Sequence, residues 1–145
     1  MIIRPAQSSD IEPVETLLSS SNLPLEGVHE NFNEFVVAEE KGQIAGAIGL
    51  ERFGSAALLR SAVVAPDQRG SGIGSRLVEQ LLDRARTSGI SEIYLLTTTA
   101  EEYFPRFGFE RTTREAVPSA VKQSQEFKGA CPDSAVVMAR RLTDA

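Results

Sequence analysis

The sequence of 145 residues has a single cysteine, Cys131, and a single histidine, His29. One thiol builds neither a disulfide framework nor a CxxC metal site, and it fits a reducing cytoplasm. One histidine excludes a multi-histidine metal centre, so no metal is expected, and a Ser-His-Asp triad on His29 has no motif to support it. Basic residues are also scarce: 15 Lys and Arg stand against 20 Asp and Glu, a net charge of −5. No basic surplus marks a nucleic-acid binder. The opening MIIRPAQSSD has no long apolar run, so neither a signal peptide nor a membrane span is expected. What is present is 41% hydrophobic residues, enough for a substantial core, and residues 1–145 read as one cytoplasmic domain.

The most informative stretch is Val63-Val64-Ala65-Pro66-Asp67-Gln68-Arg69-Gly70-Ser71-Gly72-Ile73-Gly74. An apolar run ends in a Pro-Asp turn, glycines follow at every second position, and an amphipathic helix begins at once. The first N–H groups of a helix lack intrahelical partners and lie at the positive end of its dipole. A glycine-rich loop feeding a helix start is therefore suited to hold a phosphate. The P-loop pattern fails because no lysine follows these glycines. The dinucleotide fingerprint fails on glycine spacing, and Glu92 stands at the start of the next strand rather than its end.

Strand and helix patterns alternate along the chain. Met1 to Arg4 reads as a strand ended by Pro5, and Ser9-x-x-Glu12 as a capping box before a helix carrying Ile11, Val14, Leu17 and Leu18. Pro13 falls in its first turn, where proline costs least. Asn22 to Asn33 reads as a loop and short helix. Glu34 to Glu39 and Gln43 to Leu50 form a hairpin about Lys41-Gly42, and Ala57 to Val64 is a third strand. Ile73, Leu77, Val78, Leu81, Leu82 and Ala85 mark one helical face that Gly89 stops. Ser91 to Thr97 is the next strand, parallel to the one before the loop because a crossover helix joins them. Ala100 to Arg106 reads as a short helix, Thr112 to Lys128 as a polar segment over the active site or a partner chain, and Ala135 to Ala139 as a final strand. The predicted class is α/β, more fully an α+β mixed sheet. It is mostly antiparallel, with a parallel central pair and helices on both faces.

Arg69-x-x-Gly72-x-Gly74 after a strand ending in Val-x-Pro resembles the acetyl-CoA loop of the GNAT superfamily of N-acetyltransferases. Tyr103-Phe104-Pro105-Arg106-Phe107-Gly108-Phe109 is similar to the family's aromatic-x-x-x-Gly-Phe element. Leu96-Thr97-Thr98-Thr99-Ala100 before it resembles the acetyltransferase domain of N-acetylglutamate synthases. Together with Leu59-Arg60-Ser61 and Cys131-Pro132-x-Ser134-Ala135, it is similar to the small N-acetyltransferases associated with arsenic-resistance operons.

The resemblance implies a GNAT-like domain that uses acetyl-CoA as co-substrate and no metal. The amides of Arg69, Gly70, Ser71, Gly72, Ile73, Gly74 and Ser75 would hold the pyrophosphate. Ala62 and Val63 would line the pantetheine arm, and Phe104 would pack beside the sulfur. The Val64 N–H takes the family's oxyanion role. The family's thiolate-protonating tyrosine falls on Phe104, which has no proton to give; Tyr103 is the neighbouring candidate acid. The glutamate base of some relatives maps near Leu58 or Leu96, which leaves water held by Thr97 to Thr99, or Glu51 at a strand end.

Arg60, in a strand otherwise fit for burial, should meet a carboxylate, either of a substrate or of Glu51 across the sheet. Arg60, Glu51, Thr97 and Thr98 are the candidate substrate contacts. The expected reaction is acetyl transfer to a small-molecule amine, an amino acid or an arsenic- or phosphorus-containing analogue. A stand-alone glutamate N-acetyltransferase and a non-catalytic coenzyme A-binding module are the alternatives. A homodimer stays open, and Cys131 reads as a partly buried small residue.

Overall fold

The computed structural model describes residues 1–98, 100–124, 127–128 and 135–142. Among these residues there are seven strands, most of them apolar runs: β1 (Ile2–Pro5), β2 (Phe35–Glu40), β3 (Gln43–Phe53), β4 (Ala56–Val64), β5 (Glu92–Thr97), β6 (Glu110–Thr112) and β7 (Val136–Arg141). They form one sheet in the order β1-β2-β3-β4-β5-β7-β6. Every pairing is antiparallel except β4 with β5, the expected parallel pair. Two α-helices accompany the sheet, α1 (Ile11–Ser20) and α2 (Ile73–Thr87).

The core divides by sheet face because successive strand residues point to opposite sides. Ile73, Leu77, Val78, Leu81, Leu82 and Ala85 of α2 pack on Val36, Ile48, Leu50, Ala57, Leu59 and Leu95. On the other face Val14 and Leu18 of α1 pack with Phe32, Phe35, Val37, Ala47 and Val63. Further along, Val117 and Val121 from the segment after β6 cover Ala56, Leu58, Tyr94 and Val137. That segment thus lies on the sheet, and none of its described residues lines the cleft below.

Four expectations need correction. The capping box is not Ser9 with Glu12: the Asp10 carboxylate, 2.8 Å away, accepts the Gln7 N–H, and α1 starts at Ile11. Asp10 is the residue the geometry favours because Arg4 from β1 also holds it, at 2.8 and 3.1 Å. Second, Ala100–Arg106 is not an α-helix; a turn leads into a single 3-10 turn, Phe104–Phe107, closed by Gly108 at φ +86°. Pro105 lacks an N–H for a longer ladder. Third, Glu51 is no strand end, because β3 continues to Phe53. Fourth, β6 is a strand that its three polar residues did not signal; it forms by pairing with β7 at the sheet edge. Thr99, Cys131, Pro132 and Ser134 lie outside the described residues.

Candidate active site

β4 and β5 pair only from Ala56–Leu58 to Glu92–Tyr94 and then diverge. Their separation opens a cleft of about 770 Å³ whose walls include Leu59 to Val64, Leu95 to Thr97, the glycine loop and Tyr103 to Phe104. A bulge shapes the β4 wall. Ala47 faces Val63 and Gly49 faces Arg60, so Ser61 and Ala62 together oppose Ile48. Past the bulge, the Ala65 N–H donates to the Ala45 carbonyl at 2.7 Å. Antiparallel ladders alternate inward and outward groups, so Val64 turns its N–H and C=O away from β3, toward the cleft. Arg69 Nε meets that carbonyl at 3.2 Å.

The floor of the cleft is the start of α2. Gly72 is the N-cap at φ +85°, an angle open to glycine and strained for other residues. No side chain caps the helix and no acidic residue lies in its first turn. A Cβ placed on Gly70 or Gly72 would meet nothing within 4 Å. The first amides of a 15-residue helix therefore face open space at the positive end of its dipole, which fits a phosphate group. Gly70, Gly72, Ile73, Gly74 and Ser75 line the cleft, whereas Ser71 does not; its hydroxyl closes the turn on the Gln68 carbonyl at 2.5 Å.

The aromatic element meets the same floor. Tyr103 OH lies 3.3 Å from Ser75 Oγ, while the Phe104 ring is buried and packs edge-on to Phe109 at 5.7 Å. A tight 3-10 turn separates the two neighbours: Tyr103 reaches the glycine loop, and Phe104 packs on the core while bordering the cleft. Arg106 stacks its guanidinium over the Tyr103 ring, 4.5 Å from the centroid.

Arg60 is buried, 2% exposed, and the carboxylate it meets is the protein's own. Its Nη1 donates to Glu51 Oε1 and its Nε to Ser61 Oγ at 3.0 Å. Glu51 is 7% exposed and lies beneath Arg60, not on the cleft wall. Thr97 lines the cleft and accepts the Ala100 N–H at 2.9 Å; Thr98 is exposed and outside it. His29 pairs with Glu15 at 3.1 Å, away from the cleft.

Residues missing from the expected set also contribute. Ser21, Leu23 and Pro24, after α1, and Arg106 line the cleft. Arg69 ties to Ser21 Oγ at 3.4 Å. Only Arg106 carried a sequence signal, its place in the aromatic element; the others arrive by tertiary proximity. Among the described residues the lining holds three arginines, Arg60, Arg69 and Arg106, and no carboxylate. No group of three His, Cys, Asp or Glu gathers among the described residues, and no helix there is long and apolar enough to cross a membrane.

A mixed sheet splayed beside an uncapped, glycine-bearing helix start makes a cleft suited to a phosphate-bearing ligand. The chain belongs to the GNAT family: the family model of the acetyltransferase (GNAT) domain matches residues 31–111. It is 28% identical over 149 residues to an amino-acid acetyltransferase of Neisseria meningitidis, covering 97% of this chain and 34% of that one. It is 36% identical over 116 residues to the amino-acid acetyltransferase of Ralstonia nicotianae, covering 74% and 24%. The chain thus spans a quarter to a third of the length of these curated relatives.

N-acetylglutamate synthase from Neisseria gonorrhoeae, complexed with coenzyme A and N-acetyl-glutamate, superposes with TM-score 0.84 at 26% identity, covering 98% of this chain and 35% of that one. A Mycobacterium tuberculosis protein solved with CoA gives TM-score 0.79 at 25% identity, covering 99% and 100%. The expected fold stands, and both of these neighbours were solved with coenzyme A bound.

Proposed function

We propose that this domain transfers an acetyl group from acetyl-CoA to the amine of a small acceptor that carries an anionic group, an amino acid or a close analogue. The observation that carries the acceptor class is the pair Arg69 and Arg106 on a cleft whose described lining holds no carboxylate, in a protein of net charge −5. Such a cleft attracts anions and repels polycationic amines.

Acetyl-CoA supplies an activated thioester carbonyl. In this reading the amides of Gly72 to Ser75 hold the pyrophosphate, and Ala62 and Val63 flank the pantetheine arm. The Val64 N–H, turned into the cleft, is placed to bond the carbonyl oxygen as it becomes anionic. Tyr103 is the proton donor for the departing thiolate, its hydroxyl held near the helix start by Ser75. The amine reacts as its free base, with water at Thr97 to receive the proton.

Glutamate is favoured as one acceptor by the amino-acid acetyltransferases the chain resembles. An arsenic- or phosphorus-containing amino acid is the other, on the short strings about Arg60 and Ser61. Thiol release from acetyl-CoA, measured over glutamate, its phosphinic and arsinic analogues, neutral amines and polyamines, tests the reading. Release dependent on an anionic amino acid supports it. Faster release with polyamines, or coenzyme A binding with no amine-dependent release, overturns it in favour of another acceptor class or of a binding module.

A further inference from the structure

Among the described residues, three in turns or bulges leave ordinary backbone space without being glycine: Asn22, Lys41 and Ser61. Asn22 and Lys41 sit in turns, but Ser61, at φ +59°, lies within β4 and is 7% exposed. A non-glycine residue in a buried strand does not keep this conformation unaided. Its neighbour supplies the reason. In a regular strand adjacent side chains point to opposite faces, so residues 60 and 61 could not bond to each other. Here Arg60 Nε donates to Ser61 Oγ at 3.0 Å, because the left-handed angle brings both side chains to one face. The bond exists only with the bulge, and by linkage it stabilises the bulge.

The rest of the surroundings hold Arg60 in place. Glu51 on β3 takes its Nη1, neutralising a charge that burial makes costly. The backbone of the loop after α1 closes over the pair: a Cβ on Gly27 would come 2.5 Å from Arg60 Nη1 and 3.2 Å from Glu51 Oε1.

We infer that Arg60, anchored by Glu51, is a positioning residue that locks Ser61 in the left-handed region and so aims the Val64 N–H into the cleft. One residue of bulge reverses which backbone groups face β3 beyond it. Without it, Val64 turns toward β3 and the donor leaves the cleft. The inference rests on the transfer reading for its catalytic consequence, but not for the geometry of the lock.

The test removes the ion pair as a unit, so that no charge is left buried alone. In E51L/R60M, kcat falls about tenfold, the factor by which a non-glycine residue disfavours the left-handed region. The Kd for coenzyme A stays within about twofold, since the helix start is untouched. Adding S61G, which needs no lock to keep a positive φ, restores kcat to within about threefold of the parent. Loss of the ion pair's stability alone does not predict rescue by glycine. Unchanged kcat in E51L/R60M, or no recovery in a triple variant that melts as the double variant does, overturns the proposal.

A second readout needs no activity: the Ser61 HN–Hα coupling and Cα shift, measured by NMR with and without coenzyme A. A move out of the left-handed range in E51L/R60M supports the lock, even if no acceptor releases thiol from the parent protein. A left-handed Ser61 in that variant overturns it.

Discussion

The hydroxyl of Tyr103 stands 3.3 Å from Ser75 Oγ in the first turn of α2, while Phe104 beside it faces the core. The chain thus has a phenol at the glycine loop although the family's tyrosine position is occupied by phenylalanine. If the phenol protonates the thiolate, Tyr103→Phe lowers kcat about a hundredfold, the usual scale for losing a general acid. Coenzyme A affinity changes little. Steady-state kinetics with a thiol reagent and a binding isotherm for parent and variant check this.

The Gly72 N-cap tests the phosphate cradle. A side chain at φ +85° is strained, so Gly72→Ala costs about 1–2 kcal/mol in the native state. The added Cβ also projects into the space before the helix amides. The thermal midpoint falls and coenzyme A binds about tenfold or more weakly. Unchanged affinity would mean that the phosphates sit elsewhere.

Acid stability depends on Arg4 and Asp10. The Arg4 guanidinium, and after it the Gln7 N–H, hold the Asp10 carboxyl below the usual carboxylate range against an opposing effect of burial. A lowered native pKa means stability that is present above the unfolded value, about 3.9, and is lost as pH falls through the native value. Asp10→Asn therefore destabilises by roughly 1.5–3 kcal/mol at neutral pH, the range for hydrogen bonds to charged groups. The difference between Asp10→Asn and the parent shrinks as pH drops below 4. Urea melts from pH 3 to 7 measure it.

At the alkaline end, burial and then the neighbouring Glu92 carboxylate push the Tyr94 phenol up to about 12. A raised pKa means the native state keeps its proton longer. Stability is full below the unfolded value of about 10 and is lost as pH rises through that value toward 12. The chain has two tyrosines, so Tyr103→Phe leaves Tyr94 as the only phenol in an ultraviolet titration. Its ionisation in that variant coincides with alkaline unfolding, whereas an exposed phenol would titrate near 10.

Local sequence carried much of the fold. The periodicity from Ile73 to Ala85, with Gly89 after it, marks α2, because a helix needs only its own face and its ends. The glycines at 70, 72 and 74 mark the anion-receptive floor for the same reason: backbone freedom and the helix dipole are properties of a few consecutive residues. Apolar runs likewise marked every strand but β6, and the crossover rule placed β5 parallel to β4.

What depends on distant residues was not legible. Glu110 to Thr112 becomes a strand only because β7 offers a ladder. Asp10 displaces Ser9 and Glu12 as the cap because Arg4 arrives from β1. Arg60 left two partners open, and only the register of β3 against β4 brought Glu51 beneath it. The direction of the Val64 N–H and the side of the turn taken by Tyr103 belong to the same group, since a one-residue bulge or a tight 3-10 turn reverses each. Residue spacing therefore identified the loop that the proposed reading gives to the acyl donor. The orientation of the groups proposed to act on that donor came from long-range pairing, which no local pattern encodes.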